Sequence, residues 1–434
     1  MNYAKLSVAA LEELKDELSQ QYETLCGLAL SLDLTRGKPS AQQLDLSNAL
    51  DGILNGFYLL QDGTDVRNYG GTLGISEART LGGRFLDLSE KEVLVGGNSS
   101  LQLMYLYLDF AMNHGLQGPE SAWAREAQSD GSKIKFLCPV PGYDRHFKIC
   151  EQLDIEMINV AMTAAGPDMT IVQQLVERDP LIKGIWCVPM YANPTGQTYD
   201  DKTVRALACL ARDAGAGFRI MWDNAYAVHH LTDKPDRLLN LMEECRKEGT
   251  TDSPVMLAST SKVTFAGAGI SFLGTSEENL RAFEKYLSTL TIGFDKVNQL
   301  RHARFLPDLA SLSAHMQKHA ELVRPKFELV EEMLNASLSG TGIASWTQPN
   351  GGYFVSLDTL PGLASQIVQL AATAGVKLTP AGSTFPYQFD PADSNIRIAP
   401  TFPPLDQLRQ ALEVLVVCIR LATVNQFLEK SAIT

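Results

Sequence analysis

Val93-Leu-Val-Gly-Gly-Asn-Ser-Ser-Leu-Gln-Leu-Met104 is the stretch on which the fold turns. Val93 to Val95 read as a short buried strand, the glycines and polar residues as a tight turn, and the apolar run Leu101 to Met112 as a helix. A strand that enters a helix through a glycine turn is half of a crossover unit. The same rhythm recurs outward from it. Apolar runs stand at Ile134 to Cys138, Ile155 to Val160, Gly184 to Pro189, Phe218 to Asp223, Val255 to Ser259 and Ile270 to Gly274. Segments 99–114, 170–178, 202–214 and 277–290 carry helical patterning, each apolar on one face. Strands alternating with helices predict an α/β fold: a large domain with a mainly parallel seven-stranded sheet, flanked by helices.

Beyond residue 305 the pattern changes to a long helix at about 308–337, strands near 352–357, 376–379 and 395–399, and a last helix from 404. Residues 6–30 read as an amphipathic helix, with Leu11, Leu14, Leu18, Tyr22 and Leu25 on one stripe and Ser7 as its cap. The expected organisation is a large α/β domain over 60–305 and a smaller α+β domain built from 1–59 and 306–434.

Composition narrows the function. The 434 residues are 45% hydrophobic, enough for a sizeable core, and carry 37 Lys and Arg against 50 Asp and Glu with no basic block. A net charge of -13 argues against nucleic acid as a partner and points to small-molecule chemistry. Seven scattered cysteines suit free thiols in a reducing cytosol, and no export signal is visible, so a cytoplasmic location is expected. The stretch Leu412 to Thr423 is broken by Glu413 and Arg420 and falls short of a membrane span, so no membrane partner is expected.

In an open α/β sheet ligands bind beyond the carboxyl ends of the strands. The residues there are polar. After Val95 come Gly97, Asn98, Ser99 and Ser100, where backbone amides and hydroxyls could hold an anion or merely cap the helix. After Gly184 to Val188 come Asn193-Pro-Thr-Gly196, and after Trp222 come Asp223 and Tyr226. Each of these has an ordinary use, as a turn or a cap. Lys262 follows Ser259-Thr-Ser261 and precedes a glycine-rich segment; desolvation there would keep its amine partly neutral and nucleophilic, although most lysines are simply solvated. Arg397 sits in a short, otherwise apolar strand, either clamping a carboxylate or pointing to solvent.

Taken in order, these residues resemble the fold-type I pyridoxal-phosphate enzymes, and among them the class I aminotransferases of the aspartate aminotransferase kind. The resemblance covers nearly the whole chain: Gly37 with Pro39, Tyr69 in Asn-Tyr-Gly-Gly, the turn at 97–100, Pro141-Gly-Tyr143, Asn193-Pro-Thr-Gly196, Asp223 with Tyr226, Ser259-Thr-Ser-Lys262 and Arg397. Leu-Thr-Arg-Gly-Lys-Pro at 34–39 and the run after Lys262 look like a less common bacterial aspartate-aminotransferase-like subgroup. The resemblance implies pyridoxal phosphate as cofactor, joined to Lys262 as an imine, with Lys262 then shuttling the substrate's α-proton. It implies that Asp223 pairs with the ring nitrogen, that Asn193 and Tyr226 bond the ring oxygen, and that Tyr143 stacks on the ring. Gly97, Asn98, Ser99, Ser100, Ser259 and Ser261 would bind the phosphate, helped by Tyr69 from a partner subunit of a homodimer whose active sites lie at the interface. Arg397, Asn193 and the backbone at Gly37 would hold the substrate carboxylate. One departure stands out: many class I aminotransferases place an arginine eight residues after the lysine, and here that residue is Ile270.

The function expected is transfer of an amino group between an L-amino acid, aspartate or another dicarboxylic one, and a 2-oxo acid. Arg301 and Arg304 are candidates for the second carboxylate, with Arg36 and Lys38 behind them. The alternatives are another reaction on the same cofactor, β-elimination or racemisation, or a sensor that binds cofactor without turnover. About 35 residues precede Gly37, too few for the DNA-binding domain such sensors carry. No second cluster of metal-ligand type accompanies His229-His230, so a structural or surface role is expected for that pair, and no metal.

Overall fold

The structure, a computed structural model, describes residues 2–35, 37–127 and 131–433. Its largest element is a sheet of seven principal strands: β1 (Val93–Gly96), β2 (Lys135–Val140), β3 (Glu156–Thr163), β4 (Ile182–Cys187), β5 (Arg219–Asp223), β6 (Pro254–Ser259) and β7 (Ser271–Gly274). They lie in the order β1-β7-β6-β5-β4-β2-β3, and an eighth strand of two residues, Gly166–Pro167, extends the β3 edge. Only β7 runs against the other principal strands.

Every residue of β4 and β5 is buried, as a sheet covered on both faces requires. Side chains alternate between two cores. Val95, Leu137, Ile185, Ile220, Trp222 and Met256 pack on one face, and Leu94, Phe136, Trp186, Met221, Leu257 and Leu273 on the other. At about 1.5–3 kcal/mol per fully buried large side chain, a one-residue slip of any central strand would be costly, and this pins the register.

A third core joins the two ends of the chain. Leu11 and Leu18 of helix α1 (Val8–Gly27) pack with Val330 and Leu334 of α2 (Leu309–Leu338) and with Leu412, Leu415 and Ile419 of α3 (Leu405–Ile433). Beside them lies an antiparallel sheet of β8 (Ala344–Trp346), β9 (Val355–Thr359) and β10 (Asn395–Ile398). Leu32–Asp33 pairs in parallel with Val376–Lys377. Ser7 caps α1 by accepting a 3.3 Å hydrogen bond from Ala10 N. The apolar stretch 412–423, expected to be too short for a membrane, belongs to a helix that is long and apolar enough to cross one. Two-thirds of its most apolar window is buried inside the protein, as in a core helix.

Helix Ser76–Leu86 is unannounced by its sequence because Gly82 and Gly83 lower its propensity. Packing demands the first: a Cβ on Gly82 would stand 2.4 Å from Phe272 Cδ1. All seven cysteines are free.

Candidate active site

The carboxyl ends of β4, β5 and β6 and the turn after β1 converge on a cavity of about 190 Å³, lined among others by Ser99, Tyr143, Asn193, Asp223, Tyr226 and Lys262. Asp223 ends β5 at the sheet's centre, fully enclosed. It caps no helix. Its Oδ2 lies 3.0 Å from His146 Nε2, and its Oδ1 is buried with no partner among the described residues. His146 is stacked on Trp186, centroids 4.1 Å apart and planes 6° from parallel, so the ring that orients Asp223 is itself immobilised. An unpartnered buried carboxylate oxygen costs about 1–3 kcal/mol or more, and such a cost persists where a ligand's donor repays it.

Lys262 lies just past the end of β6, on a turn that Val263 N and Thr264 N close onto Thr260 O. Its Nζ stands 5.1 Å from the centre of the Tyr226 ring and 5.9 Å from that of Tyr353. Among the described residues it has no hydrogen-bond partner. Burial pushes its pKa below the ordinary 10.5, partly opposed by the Asp223 charge. Burial likewise raises the Tyr226 phenol well above its usual range, helped by Tyr143 and Asp223, so it is a neutral hydrogen-bond donor at any physiological pH.

At the other end of the cavity the hydroxyls gather. Ser259 Oγ donates to Ser261 Oγ at 3.0 Å, Ser261 Oγ to Asn98 O at 3.0 Å, and Asn98 Nδ2 to Gly267 O at 3.1 Å. The helix Ser100–Asp109 starts here, and the Ser99 side chain makes no capping hydrogen bond to it. The amides of Ser100 and Leu101 and the Ser99 hydroxyl are therefore left for an anion, while Gln102 N donates to Ser99 O at 3.2 Å. Ile270 is buried in the core below, and its N donates to Thr260 Oγ1 at 3.0 Å. An arginine there would have to leave that core to reach the hydroxyls.

Arg397, on β10, is buried; its Nη1 donates to Asn193 Oδ1 at 3.2 Å and to Asp144 Oδ1 at 3.1 Å, its Nη2 to Thr379 Oγ1 at 3.3 Å. The guanidinium lies 4.9 Å over the Phe354 ring, and Nε has no partner. Gly37 sits against the same ring: a Cβ there would be 2.5 Å from Phe354 Cζ, so only glycine brings its backbone this close.

Of the residues singled out from sequence, those named above are brought together around one cavity, with Gly97 in the turn and Gly37 and Arg397 on the side of the small sheet. Tyr69 is not among them; it is 82% exposed. Arg301 is engaged within the chain by Leu50 O and Asp51, Arg304 is exposed, Lys38 Nζ lies 4.0 Å over Phe402, and Arg36 is outside the described residues. His146 and Asp144 went unread, although the spacing Tyr143-Asp-Arg-His146 would set His146 on the Tyr143 face of a helix. Of the pair His229-His230, expected to be structural or at the surface, His229 is buried with Nε2 3.3 Å from Lys262 O, and His230 is half-buried with Nδ1 2.8 Å from Tyr191 Oη.

The family model described as aspartate amino-transferase matches residues 6–431. A Mycolicibacterium smegmatis relative is 48% identical over 416 residues, 95% of this chain and 96% of its own. The aspartate aminotransferase of Corynebacterium glutamicum is 40% identical over 434 residues, 98% of this chain and 99% of its own. A crystal structure of an aspartate transaminase from that species superposes with a TM-score of 0.93 at 39% identity, covering 98% of this chain and 99% of that one. More distantly, the α-aminoadipate aminotransferase of Thermus thermophilus, crystallised with N-(5'-phosphopyridoxyl)-L-leucine, shares the fold at a TM-score of 0.73 and 18% identity, over 92% of this chain and 93% of that one. The cavity at the strand ends is thus set in a chain that matches these relatives from end to end, and the chain belongs to the aspartate aminotransferase family and is an aminotransferase.

Proposed function

We propose that the cavity binds pyridoxal phosphate and that the enzyme moves the amino group of a dicarboxylic L-amino acid, L-aspartate foremost, to a 2-oxo acid. The observation that carries this reading is Asp223 Oδ1, a buried carboxylate oxygen without a partner, in the same cavity as the partner-free amine of Lys262. A pyridinium N–H is the donor such an oxygen wants, and an aldehyde is what such an amine attacks. The phosphopyridoxyl ligand of the Thermus relative supports the choice of cofactor, and the name of the Corynebacterium relative supports that of substrate.

In this reading Lys262 would be the cofactor's covalent anchor and the base that moves the proton at the substrate α-carbon. Pyridoxal phosphate supplies the electron-accepting ring that makes that proton acidic. Asp223, oriented by His146, would hold the proton on the ring nitrogen. Tyr226 and Asn193 bond the ring oxygen, Tyr143 covers the ring, and Gly97, Asn98, Ser99, Ser100, Ser259 and Ser261 take the phosphate. Arg397, with the Gly37 backbone, takes the α-carboxylate, exchanging its bond to Asp144 for one to substrate. We further propose a homodimer with the site at its interface: Phe57, Leu59, Tyr69, Leu290 and Ile292 form an exposed apolar set, each at least 56% exposed.

The test is a product assay on cofactor-loaded enzyme. With 2-oxoglutarate as acceptor, L-aspartate should give oxaloacetate with kcat/KM at least about tenfold above that for L-phenylalanine. Ammonia released without an acceptor, or D-aspartate appearing, would instead favour elimination or racemisation, and cofactor binding with no product would favour a sensor. Arg397→Leu is expected to raise the KM for L-aspartate by about 10–100-fold, the worth of a charge-assisted bidentate contact, and to leave the cofactor's visible absorption unchanged. An unchanged KM would remove Arg397 from the substrate site.

A further inference from the structure

Four buried histidines surround the turn that carries Lys262, and the chemistry above uses none of them. His229 Nε2 is 3.3 Å from Lys262 O; His315 Nε2 and His319 Nε2 are 2.7 and 3.0 Å from Val263 O; His302 Nε2 is 2.9 Å from Thr264 Oγ1. A one-turn segment leaves its carbonyls without backbone partners, and in a dry interior each needs a donor. Here the donors are imidazole N–H groups from two separate elements, the loop after β5 and helix α2.

Their neighbours fix which nitrogens carry the hydrogens. Gln43 Nε2 lies 3.2 Å from His319 Nδ1 and can only donate to it, so the His319 hydrogen sits on Nε2, toward Val263 O. Gln43 is held in turn, its Oε1 accepting from Ser40 N at 3.1 Å in a capping box. The same amide donates to Tyr353 Oη at 2.9 Å, and that hydroxyl faces Lys262 O at 3.5 Å. His315 and His319, 3.2 Å apart at Nε2, converge as two donors on the two lone pairs of one carbonyl. His229 packs edge-to-face against both the Tyr226 and Tyr353 rings, centroids 5.7 and 5.5 Å away, while those two rings stack on each other at 5.9 Å. Burial holds His229 near a pKa of about 3 and His319 near about 4, so both are neutral as this pattern needs.

We infer that His229, His315 and His319 are positioning residues that hold Lys262 through the carbonyls of Lys262 and Val263, and that Gln43 and Tyr353 tie this hold to the segment beginning at Gly37. Helix Ala41–Asp45, which carries Gln43, begins four residues after Gly37. The amine that moves the α-proton and the backbone that receives the α-carboxylate are thereby fixed to one hydrogen-bonded frame. Proton transfer is sensitive to such placement, since a displacement of about 1 Å can cost a hundredfold in rate.

The inference rests on the reading of Lys262 as the base, and the experiment separates the two. Full-length enzyme loaded with pyridoxal phosphate is assayed with L-aspartate and 2-oxoglutarate, and borohydride trapping at Lys262 is quantified by peptide mass. His319→Leu is expected to lower kcat about 10–30-fold, to move the KM for L-aspartate less than about threefold, and to slow trapping. His319→Gln, which keeps an N–H within reach of Val263 O, should recover most of both. A leucine variant within about twofold of wild type, or equal losses in folded leucine and glutamine variants, overturns the inference. Should His319→Leu not fold, Tyr353→Phe removes a single oxygen and is expected to lower kcat about 3–10-fold at unchanged KM; an unaltered kcat there overturns it equally. Lys262→Ala is the arm for the underlying reading: if it transaminates normally, that reading fails, whereas an inactive Lys262→Ala beside unaffected histidine variants sinks only the positioning role.

Discussion

Lys262→Ala is expected to lower kcat for transamination at least about a thousandfold, with the protein still folded and still able to bind pyridoxal phosphate without covalent attachment. The magnitude follows from losing a general base and a covalent anchor at once; the first alone is worth about 10²–10⁴ in rate. Folding should survive because the lysine amine makes no hydrogen bond among the described residues, while the turn is held by its backbone: Val263 N and Thr264 N to Thr260 O, and the histidines to the carbonyls. Removing a desolvated amine relieves burial of an ionisable group, so the melting temperature should not fall. Borohydride reduction followed by peptide mapping distinguishes the outcomes. A reducible adduct on another lysine of the variant would reassign the anchor. Another buried lysine, Lys326, donates at 2.6 Å to Thr401 O and is held near a pKa of about 8 by burial, but it does not line the cavity.

Stability should collapse with acid well before the carboxylates titrate. His229 is held at about 3, His302 and His319 at about 4, and His315 is lowered as well, all by burial, against the ordinary 6.5 of an exposed imidazole. The unfolded chain takes up protons at these positions as pH falls through 6.5, and in the folded chain His229, His302 and His319 do not until pH approaches 4 or below. Stability is therefore complete above 6.5 and is lost as pH falls through the window from 6.5 to about 4. Each such group contributes a slope of up to about 1.4 kcal/mol per pH unit, so His229, His302 and His319 together reach roughly 4 kcal/mol per unit, a large fraction of the stability of many domains. Urea titrations at a series of pH values give the proton uptake directly. An uptake below about one proton between pH 7 and 5 would mean the histidines are solvated or charged in the folded protein. His319→Gln should remove about one proton from the slope, which links this measurement to the positioning role of the same residue.

How much of the site was legible can be judged residue by residue. Ser99 and Asp223 were each ambiguous as text, because a serine before a helix and an aspartate after a strand are ordinary caps. The fold resolves both in the same way: neither side chain caps, and both are left at the cavity. Tyr143, Asn193 and Lys262 are legible through their order along the chain, which matters because they follow β2, β4 and β6, strands of one sheet. Arg301 was a reasonable candidate for a substrate cation until the structure placed Asp51 against it at 2.6 Å. His302, His315 and His319 are out of reach of the sequence, since a lone histidine on a helix face has no local signature of what it faces, and His229 is legible only as half of a histidine pair.

The sequence by itself determined the α/β class, the strand positions to within a few residues and the set of polar strand ends, because these depend on hydrophobic period and glycine punctuation, which are local. Tertiary structure alone decided which atoms are left without partners and which are held. Asp223 Oδ1 is free because His146, 77 residues away in the chain, takes only the other oxygen. The Lys262 turn is held because α2, 50 to 60 residues later, brings two imidazoles to one carbonyl. Both outcomes are set by burial, which makes every unpaired polar atom expensive and is a property of the whole packed chain rather than of any segment of it.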